Sequence, residues 1–395
     1  MSVIKLSLPE EVKFIIKTLN EHGHRADVVG GAVRDACIGR TTSDYDITTD
    51  ALPEEIKRVF SGVRTIDTGI KHGTVALHLG GENYEVTTYR RDGDYLDARH
   101  PETVEFTESL AEDVRRRDFT MNALCYNETD GITDFVGGVS DIENRLIRTV
   151  GDPVTRFSED ALRILRALRF SAVLGFSIEK STAEAVHSCK ELLFGISRER
   201  IYAEWQKLIS GDNAYAVIEE YCDVFATFLP ISFDSLPPRE SFFCGSGLVR
   251  TLALFALGSE NPAESYDAAM SALKTDKATR VGGRDALLCL GDGVPKDKRD
   301  ALLALSKYGE EVTRTAVRVA EMIGKCEEDR ERLIDEAIAS GIPYSLKSLA
   351  VSGDDLGTLG FKGEKIGEEL KRLLLIVIDG KCENTKSALL GAVTA

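Results

Sequence analysis

The run VVGGAVRDACIGRTTSDYDITTD, residues 28–50, decides how the first third of the chain folds. A short apolar run ends at Val29, Gly30 and Gly31 supply a turn, a helical segment follows, and Asp44 and Asp46 bracket one residue on a second extended stretch. That order predicts strand, glycine turn, helix and strand. Residues two apart in a strand point to the same side, so Asp44 and Asp46 present two carboxylates to one point in space. Two such oxygen donors suit Mg²⁺, which takes one or two carboxylates and fills its octahedron with water and substrate phosphates. Gly30 and Gly31 let backbone amides approach a triphosphate, and Arg34, one turn into the helix, is placed to pair with its oxygens.

Working outward, Pro9 opens the amphipathic stretch PEEVKFIIKTLNEH, which ends at Gly23. Two alternating runs around Gly80 and Gly81, in TVALHLGGENYEVTTYR (74–90), predict a hairpin. The first third therefore reads as a small mixed sheet flanked by helices. After a glycine-containing joint at 134–142, strand signals nearly vanish and helical periodicity runs to the end. Loops at 228–241 and 291–297 suggest breaks between helical subdomains.

A chain of 395 residues predicts two to four packed units. With 43% apolar and 29% charged residues, and no apolar run near the roughly 18 residues of a membrane span, the composition predicts a soluble protein without membrane contact. The start, MSVIKLSLPEEVK, has no secretory h-region, so a cytoplasmic location is expected. Eight scattered cysteines with no CxxC pair argue against a zinc site. The net charge of −16 confines any polyanion site to a local basic patch. Arg115 to Arg117, the series Arg163, Arg166 and Arg169, and the pair Arg198 and Arg200 are the candidates.

In RFSEDALRILRALRF (156–170), Ser158 is expected as the N-cap of a helix carrying Arg163, Arg166 and Arg169 on one face. Asp160 and Arg163, at i and i+3, are expected to share that face. A carboxylate accepts from an exocyclic amine and a guanidinium donates to a ring acceptor. Cytosine and adenine both offer an amine beside an acceptor nitrogen and satisfy such a pair. Guanine and uracil offer a carbonyl and an N–H there, leaving buried groups unpaired at roughly 1–3 kcal/mol each. The protein itself could thus act as template for C and A, with Arg166 and Arg169 supporting the pocket.

The ordered GGxVRD and DxD resemble the polymerase-β type of nucleotidyltransferase, and in particular its class II tRNA nucleotidyltransferase and poly(A) polymerase family. EDVRRRDFTMNAL (112–124) resembles that family's RRDFTxNAL motif, which implies Arg117 on the nucleotide phosphates and Asp118 on the ribose hydroxyl. EDxxRxxR at 159–166 matches its template motif. A two-metal site of this type uses a third carboxylate, for which Glu85 is the candidate and Asp67 the fallback. The segments 196–215 and 351–390 resemble the end of the family's neck and its tail; the arginines of the first are read as bracing, and Gly360 to Gly363 either hold a tRNA phosphate or form a plain turn. The resemblance implies an α+β fold, with a nucleotidyltransferase head over 1–137, then an all-α neck (138–210), body (211–305) and tail (306–395).

TGIKHGTVALHL (68–79) resembles the form found in enzymes acting on tRNA ends, and RRDGDYLDARHPETVEF (90–106) resembles a flexible loop that CC-only enzymes lack. The implied activity is addition of CCA to the tRNA 3′ end from CTP and ATP with Mg²⁺, with A-only addition as the alternative and poly(A) synthesis or non-catalytic RNA binding below it. A fused phosphohydrolase is disfavoured because all six histidines precede residue 190. No protein partner is inferable.

Overall fold

The computed structural model describes residues 6–42, 44–67, 69–92, 104–326 and 329–393. Two compact units divide between Thr227 and Phe228, where the predicted loop 228–241 begins. Residues 93–103, the centre of the predicted flexible loop, lie outside the described residues.

The first unit starts with α1 (Glu10–Glu21), which follows Pro9 and carries Glu10 and Glu11 in its first turn, where the helix dipole favours acid. Val12, Ile15, Ile16 and Leu19 repeat at the spacing of one helix face and are buried. Strand β1 (Ala26–Val29) is buried throughout and leads through Gly30 into α2 (Gly31–Cys37). Next come β2 (Asp46–Thr49), α3 (Pro53–Val59), β3 (Arg64–Ile66), β4 (Thr74–Leu79) and β5 (Glu82–Thr88). The β4–β5 hairpin closes through Gly80 and Gly81, whose φ values of 60° and 91° explain two glycines at one turn. Strands β6 (Arg90–Asp92) and β7 (Val104–Phe106) pair antiparallel on either side of 93–103. After α4 (Leu110–Arg115), β8 (Cys125–Asn127) and β9 (Gly131–Thr133) complete a seven-stranded sheet in the order β3-β4-β5-β2-β1-β8-β9. The β2–β5 pairing is parallel and the others antiparallel, so the sheet is mixed, as expected.

The predicted joint is built on one side chain. Asp134 Oδ1 accepts from the amides of Val136, Gly137 and Gly138 at 3.0, 2.9 and 3.1 Å, and Oδ2 from Val139 at 2.9 Å. These bonds satisfy the free amides that open α5 (Gly138–Glu143). A Cβ on Gly138 would stand 2.1 Å from the Thr120 carbonyl oxygen, so only glycine admits this approach.

From here helices dominate, apart from the two-residue β10 (Leu146–Ile147) and β11 (Ser177–Ile178). Helix α6 (Pro153–Glu159) starts earlier than predicted, because Asp152 caps it by accepting from Thr155 N at 2.8 Å and Pro153 fixes its first turn. Ser158 is therefore not an N-cap: it lies inside α6, and its Oγ donates to the Val154 carbonyl. Asp160 is extended (φ −142°, ψ 101°) and breaks the chain into a corner before α7 (Leu162–Leu174). Then come α8 (Lys180–Ser188), α9 (Arg198–Ile209), α10 (Ala214–Glu220) and α11 (Cys222–Phe225). Trp205 of α9 is buried edge-on to Phe225 at 5.4 Å.

The second unit is helical: α12 (Arg239–Cys244), α13 (Gly247–Gly258), α14 (Pro262–Ala272), α15 (Lys277–Asp292), α16 (Lys298–Tyr308), α17 (Glu310–Met322), α18 (Glu331–Ala339), α19 (Gly353–Thr358), α20 (Glu364–Ile378) and α21 (Lys386–Gly391). Phe255 of α13 meets Tyr266 of α14 edge-on at 5.3 Å, and residues such as Leu302, Ile334, Leu373 and Leu389 form a separate apolar cluster toward the end of the chain. Among the described residues no helix is long and apolar enough to cross a membrane.

Gly138→Ala is expected to cost about 1–3 kcal/mol or more, since the clash is with backbone that cannot swing aside. Urea unfolding would measure it; an unchanged midpoint would show that the joint yields.

Candidate active site

Val29 pairs with Asp46 across β1 and β2, so the glycine turn lies beside the first residue of β2. Gly30 has φ +79°, which side chains other than glycine's rarely tolerate, and a Cβ there would lie 3.9 Å from Asp46 Oδ2, from Arg117 Nη1 and from the Asn122 carbonyl oxygen. One backbone turn thus forms the wall of a space that holds a carboxylate and a guanidinium. Gly31 opens α2, and a Cβ on it would approach Arg34 Nη2 to 3.6 Å.

Asp44 stands exposed just ahead of β2. Glu85 on β5 precedes Val86, as Asp46 precedes Ile47, and those two following residues are partners in the parallel ladder. Asp46 is exposed at the start of β2, yet desolvation by the groups crowded around its carboxyl raises it above its ordinary range; Asp44 and then Glu85 push it the same way, and Arg117 opposes them. The structure thus brings all three predicted carboxylates into one electrostatic neighbourhood. Among the described residues, however, no group of three or more His, Cys, Asp or Glu converges closely enough to hold a metal ion. Asp67 lies apart, ion-paired with Lys57 at 2.9 Å.

Arg117 is held by a residue the sequence reading did not single out. Asp113, fully buried on α4, accepts from Arg117 Nη2 at 3.1 Å, Arg116 Nε at 2.9 Å and the Arg90 amide at 3.3 Å. Burial alone would raise its carboxyl, but Arg117 and Arg116 carry it below the usual range. Arg117 Nε is buried and has no hydrogen-bond partner among the described residues, leaving a donor for an incoming oxygen. Asp113 was legible as the acid three and four residues before two arginines, a spacing that α4 and the turn after it bring together.

Asp118 takes part in a longer chain of bonds. Its Oδ2 accepts from Arg166 Nε and Nη2 at 2.8 and 2.6 Å, and its Oδ1 from the Phe119 amide at 2.8 Å and Asn122 Nδ2 at 3.2 Å. Asn122 Oδ1 accepts from Arg34 Nη1 at 2.6 Å, and Arg34 Nε donates to Asp35 at 2.9 Å. Against the cost of burial, Arg166 and these bonds hold the Asp118 carboxyl below the ordinary range. The predicted Arg34, Asp118 and Arg166 are therefore one network, joined through Asn122.

Asp160 and Arg163 do not share a helix face, because Asp160 lies in the extended corner ahead of α7. Asp160 Oδ1 accepts from Leu162 N at 3.1 Å, and Oδ2 from Arg200 Nη2 at 3.1 Å. Arg163, 8% exposed, donates from Nη1 to Glu159 Oε2 at 2.7 Å and the Arg156 carbonyl at 3.0 Å, and from Nη2 to the Arg116 carbonyl at 3.1 Å. Arg169 Nε donates to Glu204 Oε2 at 2.6 Å. Arg200 and Glu204 of α9 thus brace the corner and α7.

A carboxylate cluster against a glycine turn, with arginines aimed at the same space, is the equipment of a nucleotidyltransferase. Residues 26–148 match the family model of the poly A polymerase head domain, and residues 175–230 that of a probable RNA and SrmB-binding site of polymerase A. The CCA-adding enzyme of Bacillus licheniformis is 36% identical over 388 residues, covering 95% of each chain. That of Geobacillus thermodenitrificans is 50% identical over 217 residues, 55% of this chain and 53% of the relative. The crystal structure of the Bacillus stearothermophilus CCA-adding enzyme in complex with CTP superposes with a TM-score of 0.78 at 30% identity, covering 98% of this chain and 97% of the other. The chain belongs to the family of CCA-adding enzymes, the tRNA nucleotidyltransferases.

Two outcomes follow from the charge pattern. Because the folded Asp46 carboxyl titrates high, ionisation favours the unfolded chain as pH rises from the ordinary Asp value of about 3.9 through the folded one. Asp46→Asn is therefore expected to raise the melting temperature at neutral pH while abolishing activity, with the gain vanishing below about pH 3.9. A melting temperature unchanged at neutral pH would show that the repulsion is absent. Asp113 has the opposite sign: its stabilisation is full above the ordinary Asp value and is lost as pH falls through its depressed one. Asp113→Asn should cost about 3–5 kcal/mol at pH 7, and a urea midpoint equal to wild type there would refute the clamp.

Proposed function

We propose that this protein completes tRNA by adding C, C and A in turn to the 3′ end. The tRNA 3′-hydroxyl attacks the α-phosphate of CTP twice and ATP once, and pyrophosphate leaves. The observation that carries this reading is the Gly30 turn, where a Cβ would lie 3.9 Å from both Asp46 Oδ2 and Arg117 Nη1, so that one backbone turn faces a carboxylate and a guanidinium.

Mutually repelling hard-oxygen donors are what a divalent cation relieves, so the residues fit one. Asp44 and Asp46 would hold it, and Mg²⁺ suits them because water and triphosphate oxygens can complete its shell. Bound there, the ion would lower the hydroxyl pKa and offset charge developing at phosphorus. Glu85, which acts on Asp46 through charge without converging on a three-ligand site among the described residues, is the candidate third carboxylate. The amides of Gly30 and Gly31 approach the triphosphate; Arg34 pairs with its oxygens, as does Arg117, whose buried Nε awaits an acceptor. Asp118, oriented by Arg166 and Asn122, reads the ribose hydroxyl.

Asp160 and Arg163 read the base as acceptor and donor, a pattern cytosine and adenine satisfy and guanine and uracil do not. Both are held by other protein groups in this structure, so a base is read by taking over part of those bonds. Arg166 and Arg169 support that pocket. The division of labour is a head over 1–137, a neck over 138–210 that meets the base, a body over 211–305 and a tail over 306–395 that meets tRNA, with the cytoplasm as the place of work.

The test is extension of tRNA transcripts ending at the discriminator base, at C and at CC. Wild type is expected to build CCA on the first and stop. Extension of the CC end alone would make this an A-adding enzyme, and long A tracts a poly(A) polymerase. Asp44→Ala with Asp46→Ala should lower transfer by on the order of 10²–10³ or more and leave tRNA retention on filters near wild type; undiminished transfer would refute the carboxylate assignment.

A further inference from the structure

Phe170, near the middle of α7, is 5% exposed and has three guanidinium groups around it. The Arg169 guanidinium carbon lies 3.9 Å from its ring centroid, that of Arg34 5.0 Å and that of Arg166 5.6 Å, all within the range in which a ring quadrupole attracts a cation. Its neighbour Phe119 meets it edge-on at 5.8 Å. Two of these arginines are adjacent on α7, whereas Arg34 comes from α2. Three like charges gathered about one apolar ring repel one another, and each sends its hydrogen bonds outward to a different acid or amide: Arg34 to Asp35 and Asn122, Arg166 to Asp118, and Arg169 to Glu204.

An aliphatic side chain of similar size would fill this space but offer the cations nothing. The aromatic ring lies within reach of all three, and it leaves their N–H groups free for acids because it attracts without accepting a directed bond. Arg34 is the triphosphate contact and Asp118 the ribose contact of the reading above, on which this inference rests. Both depend on where the guanidinium groups of Arg34 and Arg166 sit.

We propose that Phe170 is a positioning residue for ribose selection, its ring holding Arg34 and Arg166 so that triphosphate grip and ribose recognition act together. Fluorine on the ring weakens the quadrupole and changes shape little, so mono-, di- and trifluorophenylalanine at position 170 separate electrostatics from packing. The measured quantity is kcat/KM for CTP against dCTP on a tRNA transcript ending at the discriminator base. The preference for CTP is expected to fall stepwise along the series, by on the order of tenfold at the end, mainly through KM for CTP. Phe170→Leu should lose it similarly and Phe170→Tyr retain it.

If Phe170→Leu fails to fold, the fluorinated series still decides. A flat preference across the series in an enzyme that adds CCA normally would overturn this inference alone and leave the ring as filler. A wild type that adds no nucleotide to tRNA would overturn the functional reading first, and this inference with it.

Discussion

A buried carboxylate is stable only if nearly every lone pair it carries is answered, and Asp118 meets that demand with four bonds from three directions. One comes from its own backbone neighbour, one from Asn122 four residues on, and two from Arg166 on α7. The long-range pair fixes α7 against the segment that follows α4, and Asn122 passes the constraint to Arg34 on α2. Without it the first unit would still have its sheet and its helices. The groups gathered around the glycine turn would have no common frame.

The sheet was readable because its signals are local. Glycines with positive φ at 30, 80 and 81 fall where a turn must occur, and the apolar alternation around them has a period of two. The DxD was read only in part: Asp46 opens β2, but Asp44 lies ahead of the strand, so the period of two does not fix its direction. The corner at Asp160 was not readable. Ser158 and Asp152 are both acceptable caps in sequence, and the choice between them is made by Pro153 and by tertiary partners such as Arg200, 40 residues away. Asp113 shows a third situation: its spacing to Arg116 and Arg117 was plain in the sequence, but its complete burial, which turns an ordinary helix pair into a clamp, depends on the fold.

The overall charge of −16 and the chemistry of the site are compatible because each of these arginines has an acid partner, two of the acids being shared: Asp113 with Arg116, and Glu159 with Arg156. Arg34 has Asp35, Arg117 has Asp113, Arg163 has Glu159, Arg166 has Asp118 and Arg169 has Glu204. A patch built this way is nearly neutral as a whole yet rich in oriented donors. Such a patch offers direction more than net field, and an ion held by it would be less exposed to screening by salt than one on a bare basic surface.

The corner between α6 and α7 places Asp160 on extended backbone and Arg163 on a helix, so the two residues proposed to read one base edge are positioned separately. Arg163 is set by helical phase: its bearing is fixed by the turns around it. Asp160 is set by a single extended residue and by Arg200. The relation of this acid to this arginine is thus written partly in side-chain identity and partly in loop length, and adding or removing one residue at the corner would redirect the carboxylate while both helices kept their own hydrogen bonds.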